Sequence, residues 1–111
     1  MFASFTVAQV KRDKCNEVVR FYEDDVIPAS KSQKGFRGAY LFVDRKTGKG
    51  VSIALWDRRE DAVAAERNGF YQQQVERLTD FFTVAPVREV YEVIYKTMFR
   101  RGTSSLSIES R

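Results

Sequence analysis

Trp56 ends an alternating run in which Ala54 and Ser52 stand two and four residues before it. That spacing puts the three side chains on one face of a strand. Two small residues beside an indole leave space, and an indole at the edge of such a space can stack on a flat molecule and give it one hydrogen bond. The other reading is that Trp56 fills the core next to the helix that follows. Tyr40, Tyr71, Tyr91 and Tyr95 carry hydroxyls able to donate to a phenolate or another oxyanion. In a periodic strand or helix, however, a tyrosine is more often a core or rim residue. Tyr71 follows the Asn68-Gly69 pair, a break in a helical pattern, and is the tyrosine expected to point into a cavity. Asn68 itself either orients a substrate oxygen or makes a turn. Arg37 and Arg88 fall in strand-like runs. Buried there, each needs a partner or an anionic ligand; on a solvated edge it needs neither. Glu89 and Glu92 are candidate cross-strand partners for them.

What the chain lacks narrows the chemistry further. It has no histidine and one cysteine, Cys15. Imidazole ligation of zinc or haem, histidine general-base catalysis and the imidazole-based triads are therefore excluded, as are zinc ribbons and fingers. No two carboxylates are spaced for acid–base work. Gly35, Gly38 and the Gly48-Lys49-Gly50 segment lack the ending and the strand-to-helix placement of a phosphate cradle. No metal site is expected, and any reaction must run on carboxylates, tyrosines, amides, the tryptophan and the substrate itself.

A chain of 111 residues, 43% hydrophobic and 14% aromatic, reads as one folded domain. The formal charge of +4 raises the question of nucleic acid. Yet Lys11, Arg12 and Lys14 interleave with Asp13 and Glu17, and Arg58 and Arg59 with Asp57, Glu60 and Asp61. Such mixing makes solvated faces rather than a basic stripe, so no nucleic-acid partner is expected. No apolar run approaches the roughly 18 residues of a membrane helix. The opening Met1-Phe2-Ala3-Ser4-Phe5 lacks the basic and apolar regions of a secretion signal. With one unpaired thiol, these features place the chain in the reducing cytoplasm.

The elements that must position these residues follow from periodicity. Phe2–Val10 alternates as a strand. Asp13 is the expected N-cap of a helix whose Cys15, Val18, Val19, Tyr22 and Val26 recur at helical spacing, with Pro28 marking its end. Phe36–Asp44 and Val51–Trp56 are strands joined by a hairpin loop in which Gly48 can take a left-handed conformation. Asp57 caps a second helical region, with Glu60 as a capping-box partner. That region is interrupted at Asn68-Gly69 and resumes through Tyr71, Val75, Leu78 and Phe82. Val84–Tyr95 is the last strand. Residues 1–100 form the domain, and 101–111, rich in serine and charge, read as a loose tail.

The resulting β-α-β-β-α-β order is that of an α+β ferredoxin-like fold: a four-stranded antiparallel sheet with two helices on one face. If Ser52, Ala54 and Trp56 face the helices, Val51, Ile53 and Leu55 face outward. An apolar outer face calls for a cover, and a second copy is the expected one.

Several phrases carry a resemblance. Val26-Ile27-Pro28-Ala29, Gly35-Phe36-Arg37-Gly38, Leu55-Trp56-Asp57 and Arg59-Glu60-Asp61-Ala62 resemble the antibiotic biosynthesis monooxygenase-like family, over roughly Phe2 to Tyr95. The resemblance implies a dimeric α/β-barrel, in which two such sheets close face to face. It also implies one of two oxidoreductase activities. One is cofactor-free oxygenation of polycyclic phenols, in which the substrate's own carbanion reduces dioxygen. The other is oxidative haem breakdown with an asparagine, a tryptophan and a histidine ligand. Trp56 matches the tryptophan; the histidine has no counterpart, which weighs against haem. On the first activity, a pocket between sheet and helices takes a small aromatic or polyketide-type substrate. Trp56, Tyr71 and Asn68 act on it, and Arg37, Tyr40, Ser52, Ala54 and Arg88 bind it, with no cofactor. The alternative is a non-catalytic homodimeric binding or stress-related module. A cavity above about 300 Å³ lined by Trp56 and a tyrosine favours the enzyme, and a packed interior favours the module.

Overall fold

The computed structural model describes residues 1–99; the expected tail, 101–111, lies outside the described residues. The first strand, β1 (Phe2–Val10), has the expected limits. A helical stretch follows in four pieces: a 3₁₀ turn (Arg12–Lys14), α1 (Cys15–Phe21), a π-helical segment (Tyr22–Val26) and α2 (Ile27–Ser30). Asp13 is not the cap. The Lys14 N–H already bonds to Lys11 O at 2.8 Å, so the helix begins earlier and Asp13 lies inside its first turn.

Pro28 does not end this helix either. A proline interior to an α-helix removes one bond and crowds the carbonyl four residues back. Here the preceding turn is widened: the Ile27 N–H reaches Tyr22 O, five residues back. The wider turn makes room for the ring, and the helix continues to Ser30, whose hydroxyl donates to Val26 O at 2.7 Å.

β2 (Phe36–Val43) and β3 (Lys49–Trp56) form the hairpin, with Gly48 at φ +81°. The second helical region divides as read, into α3 (Arg59–Arg67) and α4 (Phe70–Leu78), with Gly69 at φ +89° between them. Asp57 does not cap α3. Arg58 holds the N-cap position without a side-chain bond, and the Asp57 carboxylate pairs instead with Arg37. A 3₁₀ turn (Thr79–Phe81) leads into β4 (Phe82–Glu92). The last strand stops at Glu92 rather than Tyr95 because its partner β1 runs out: Phe2 pairs with Glu92. One bond beyond, the Val93 N–H to Met1 O at 2.9 Å, closes the ladder.

The four strands form one antiparallel sheet in the order β2-β3-β1-β4. The helices cover the face that carries Ser4, Thr6, Ala8, Ser52, Ala54 and Trp56. Under them lie two separate apolar clusters. One gathers Val10, Cys15 and Val18 against Val43, Phe81 and Phe82. The other gathers Trp56, Ala62 and Ala65 against Phe36, Ala54, Phe70 and Val90. Among the described residues no helix is long and apolar enough to cross a membrane.

Candidate functional site

Between the two clusters the central strands present only small side chains to the helices, among them Thr6, Ala8, Gly50, Ser52 and Ala54. Helices held off the sheet by the large residues at either end cannot close down on that middle, and a cavity of about 130 Å³ remains. Trp56, Tyr71, Ser52, Ala54 and Arg88 all line it. The volume falls below the range of about 300–1,000 Å³ usual for drug-sized ligands. It is close to that of an engineered apolar cavity of about 150 Å³ that takes up benzene.

Trp56 is 2% exposed and meets the Phe36 ring edge-on, centroids 5.7 Å apart. Its N–H donates to Ser4 Oγ at 3.0 Å. The indole therefore forms a wall, but the hydrogen bond expected for a ligand is already committed to β1. Ser52 Oγ is likewise bound, to Tyr22 Oη at 2.8 Å. Burial pushes the Tyr22 hydroxyl above its ordinary pKa, and the Ser52 bond partly offsets this.

Arg88 is the buried arginine rather than the solvated one, with a side chain 6% exposed. Its partners are not Glu89 or Glu92. Arg88 stands on the inner face of β4, so its guanidinium meets α3, donating to Glu66 Oε1 at 3.0 Å and to Ala62 O at 3.1 Å. The same group lies 5.1 Å from the centroid of the Tyr71 ring. Tyr71 Oη is buried without a hydrogen-bond partner. Burial raises its pKa; the nearby Thr6 hydroxyl and the Arg88 charge oppose that shift, while Glu66 adds to it.

Three of the expected site residues lie away from this cavity. Asn68 makes the turn: its Oδ1 accepts from the Phe70 N–H at 2.9 Å, and its Nδ2 donates to Gln33 Oε1 at 3.2 Å. Arg37 is the extra residue of a bulge, between Phe36 opposite Trp56 and Gly38 opposite Leu55, and its exposed side chain pairs with Asp57. Tyr40 points from the outer face and stacks on Phe42, centroids 6.0 Å apart.

Gln74 is the residue that periodicity passed over. It lines the cavity at 8% exposure, and its Oε1 has no partner. The signal was present: Gln74 falls at helical spacing beside Tyr71, Val75 and Leu78, a polar residue next to an apolar stripe. Ser4, opposite Ala54 in the β1–β3 ladder, is visible in the same way as a polar residue on the face of Ser52. Among the described residues no group of three or more histidine, cysteine or acidic side chains gathers to hold a metal.

No protein-family model matches the chain. Two curated proteins of Mycobacterium tuberculosis match part of it: Uncharacterized protein Rv2557 (strain ATCC 25618 / H37Rv) and Uncharacterized protein MT2634 (strain CDC 1551 / Oshkosh). Each is 35% identical over 63 residues, 57% of this chain. The chain spans 27% of the length of these curated relatives. Solved structures match over most of both chains. The Streptomyces coelicolor monooxygenase from the gene ActVA-Orf6, in complex with nanaomycin D, superposes with a TM-score of 0.74 at 14% identity, over 89% of this chain and 92% of that one. A candidate antibiotic biosynthesis monooxygenase from Nitrosomonas europaea gives 0.67 at 19% identity, over 86% and 100%. Rv0793 from Mycobacterium tuberculosis gives 0.67 at 14% identity, over 87% and 98%. The chain thus has the fold of the antibiotic biosynthesis monooxygenases, as its short motifs suggest.

Proposed function

We propose that the cavity is a small-molecule pocket in which a flat hydroxyaromatic is oxygenated with the molecule's own electrons. The observation that carries this reading is the mostly apolar cavity itself, bounded by the Trp56 indole, the Tyr71 ring and Ala54. Two of the residues that line it, Tyr71 and Gln74, also carry buried polar atoms without a hydrogen-bond partner, which is costly. The volume of about 130 Å³ suits one ring rather than a polycyclic substrate. For a one-ring hydroquinone the step balances without a further reductant: hydroquinone plus dioxygen gives hydroxyquinone plus water. A ring C–H becomes C–OH, both phenolic protons are lost, and the second oxygen atom leaves as water. Trp56 is the wall against which the ring lies, and Tyr71 is the donor to a substrate oxygen. Arg88 holds the Tyr71 ring in place from behind.

Oxygen uptake with one-ring hydroquinones tests this directly. The expected result is one dioxygen consumed per substrate, without hydrogen peroxide. Trp56→Phe should keep part of the rate, and Tyr71→Phe should lower it by about a hundredfold or more, the share of one hydrogen bond to a developing charge. A rate equal to the protein-free blank overturns the oxygenase reading.

The second reading, a non-catalytic module, is favoured by a specific observation. Trp56, Ser52 and Arg88 spend their polar groups inside the protein, and the cavity is smaller than most enzyme pockets. Binding without oxygen uptake decides for it.

Either way the chain is proposed to work as a homodimer through its outer sheet face. Val7, Phe42, Val87 and Tyr91 stand there 41%, 52%, 61% and 51% exposed, beside Phe5, which meets the Tyr91 ring edge-on at 5.5 Å. Such a patch is costly in water, and a second copy is its natural complement. Sedimentation velocity should give a two-chain mass that Phe42→Lys reduces to one; a monomeric wild type would refute the pairing.

A further inference from the structure

The cavity has a neighbour on the protein surface, and the two share a wall. A groove runs along the edge of the sheet, between β2 and the helical side chains Val19, Tyr22 and Ile27. Tyr22, Phe36, Ala39, Leu41 and Val43 line both the groove and the cavity. The last four stand on β2, fixed by its ladder with β3. Tyr22 comes from the helical stretch, so its side chain can move without breaking a strand pair. It is half-buried, as a side chain between an interior space and solvent must be. Its hydroxyl is tied to Ser52 Oγ, on β3, at 2.8 Å. One neutral hydrogen bond holds a rotamer but breaks readily. Tyr22 also opens the π-helical segment, and such widened turns often accompany functional sites.

We infer that Tyr22 is the gate of the cavity, an inference that rests on the cavity being a pocket. With its hydroxyl on Ser52 the ring closes the way in from the groove. With that bond broken the ring swings aside, and a small molecule passes between the helical stretch and β2. The shut gate then keeps water from whatever the cavity holds. The competing way in is the seam between the two helical regions. There Arg77 of α4 lies 5.1 Å from the centroid of the Phe21 ring and pairs with Asp25 at 3.9 Å.

The test is the rate at which benzene exchanges into the whole protein, followed by NMR line shapes. Ser52→Ala and Tyr22→Phe each remove the bond from one side and keep the ring. Each should speed entry and exit together by about fivefold, the worth of one neutral hydrogen bond. The dissociation constant should change less than about twofold, because a gate acts on both rates alike. Arg77→Met, which loosens the seam instead, should leave both rates as they are. Unchanged rates in either gate variant would overturn the gate and leave the pocket standing. A speed-up of the same size in Arg77→Met would overturn it too, by moving the entrance to the seam. No benzene binding at all would remove the pocket and the gate with it. Each gate variant changes one hydroxyl, and either alone decides if the other does not fold.

Discussion

Trp56→Ala should lower the free energy of unfolding by about 3–5 kcal/mol, the usual cost of deleting a buried large aromatic. The indole is 2% exposed, packs with Ala62 and Ala65, and holds Phe36 edge-on. Its removal also strips Ser4 Oγ of its donor on the facing strand. The space it leaves would merge with the existing cavity, so the surroundings have little to collapse onto. Equilibrium urea denaturation, read with the slope as well as the midpoint, measures the loss; a cost under about 1 kcal/mol would show that the indole is not packed as described. The same expectation governs how Trp56 is tested for function. A protein that loses this much stability loses turnover for reasons unrelated to chemistry, so Trp56→Phe is the informative substitution.

Gly35→Ala should be nearly as damaging, by about 3 kcal/mol, for a reason that lies in the backbone. Gly35 has φ +81°, and a Cβ there would lie 2.1 Å from Asp61 Oδ2 and 2.7 Å from Asp61 Cβ. Asp61 cannot swing aside cheaply. It is 5% exposed, in the first turn of α3, and its carboxylate is held by Arg58 at 3.4 Å. The Gly35 carbonyl meanwhile accepts the Asp57 N–H at 2.8 Å, tying the entry of β2 to the end of β3. Gly69→Ala is the matching control: φ is +89°, but no atom lies within 4 Å of the added Cβ. It should lose only the left-handed strain, about 1–2 kcal/mol. Thermal or urea unfolding of the two variants side by side separates strain from collision. Equal losses would show that Asp61 yields and that the close approach is unimportant.

Gly35 also illustrates what a linear sequence shows and what it hides. Its role at the start of a strand was legible, because a glycine between a polar connector and an alternating run marks an entry point. Its contact with Asp61 was not, since nothing local links positions 26 residues apart. Element order was legible for the same reason that the two faces of β3 were: alternation and helical spacing are local, and they assigned Ser52, Ala54 and Trp56 to the inner face correctly. The failures arose where two local rules met a third group. Pro28 reads as a stop only if the turn before it is α-helical, and here that turn is π-helical. Asp57 reads as a cap only if no cation competes for it, and Arg37 does. Within the site, Arg88 was visible as a residue in need of a partner. Glu66, on another element, was invisible as that partner. Gln74 could have been noticed: a polar residue on an apolar helical stripe is an inconsistency, and such inconsistencies tend to mark function.

The strand order has a kinetic consequence. β1 lies between β3 and β4, and its outer pairs join residues at opposite ends of the described chain, Phe2 with Glu92 and Val10 with Phe82. Only the β2–β3 hairpin, where Val43 meets Gly50, can zip from a short loop. β1 must therefore wait for β3, which ends at Trp56, to pair along one edge, and for β4, at the far end of the described chain, to pair along the other. Closing such distant pairs costs chain entropy before any contact repays it, which makes folding slow for the chain's size. Until then Phe5 and Val7 are open to wrong neighbours, and crowding by other nascent copies is the hazard against which this topology has least protection.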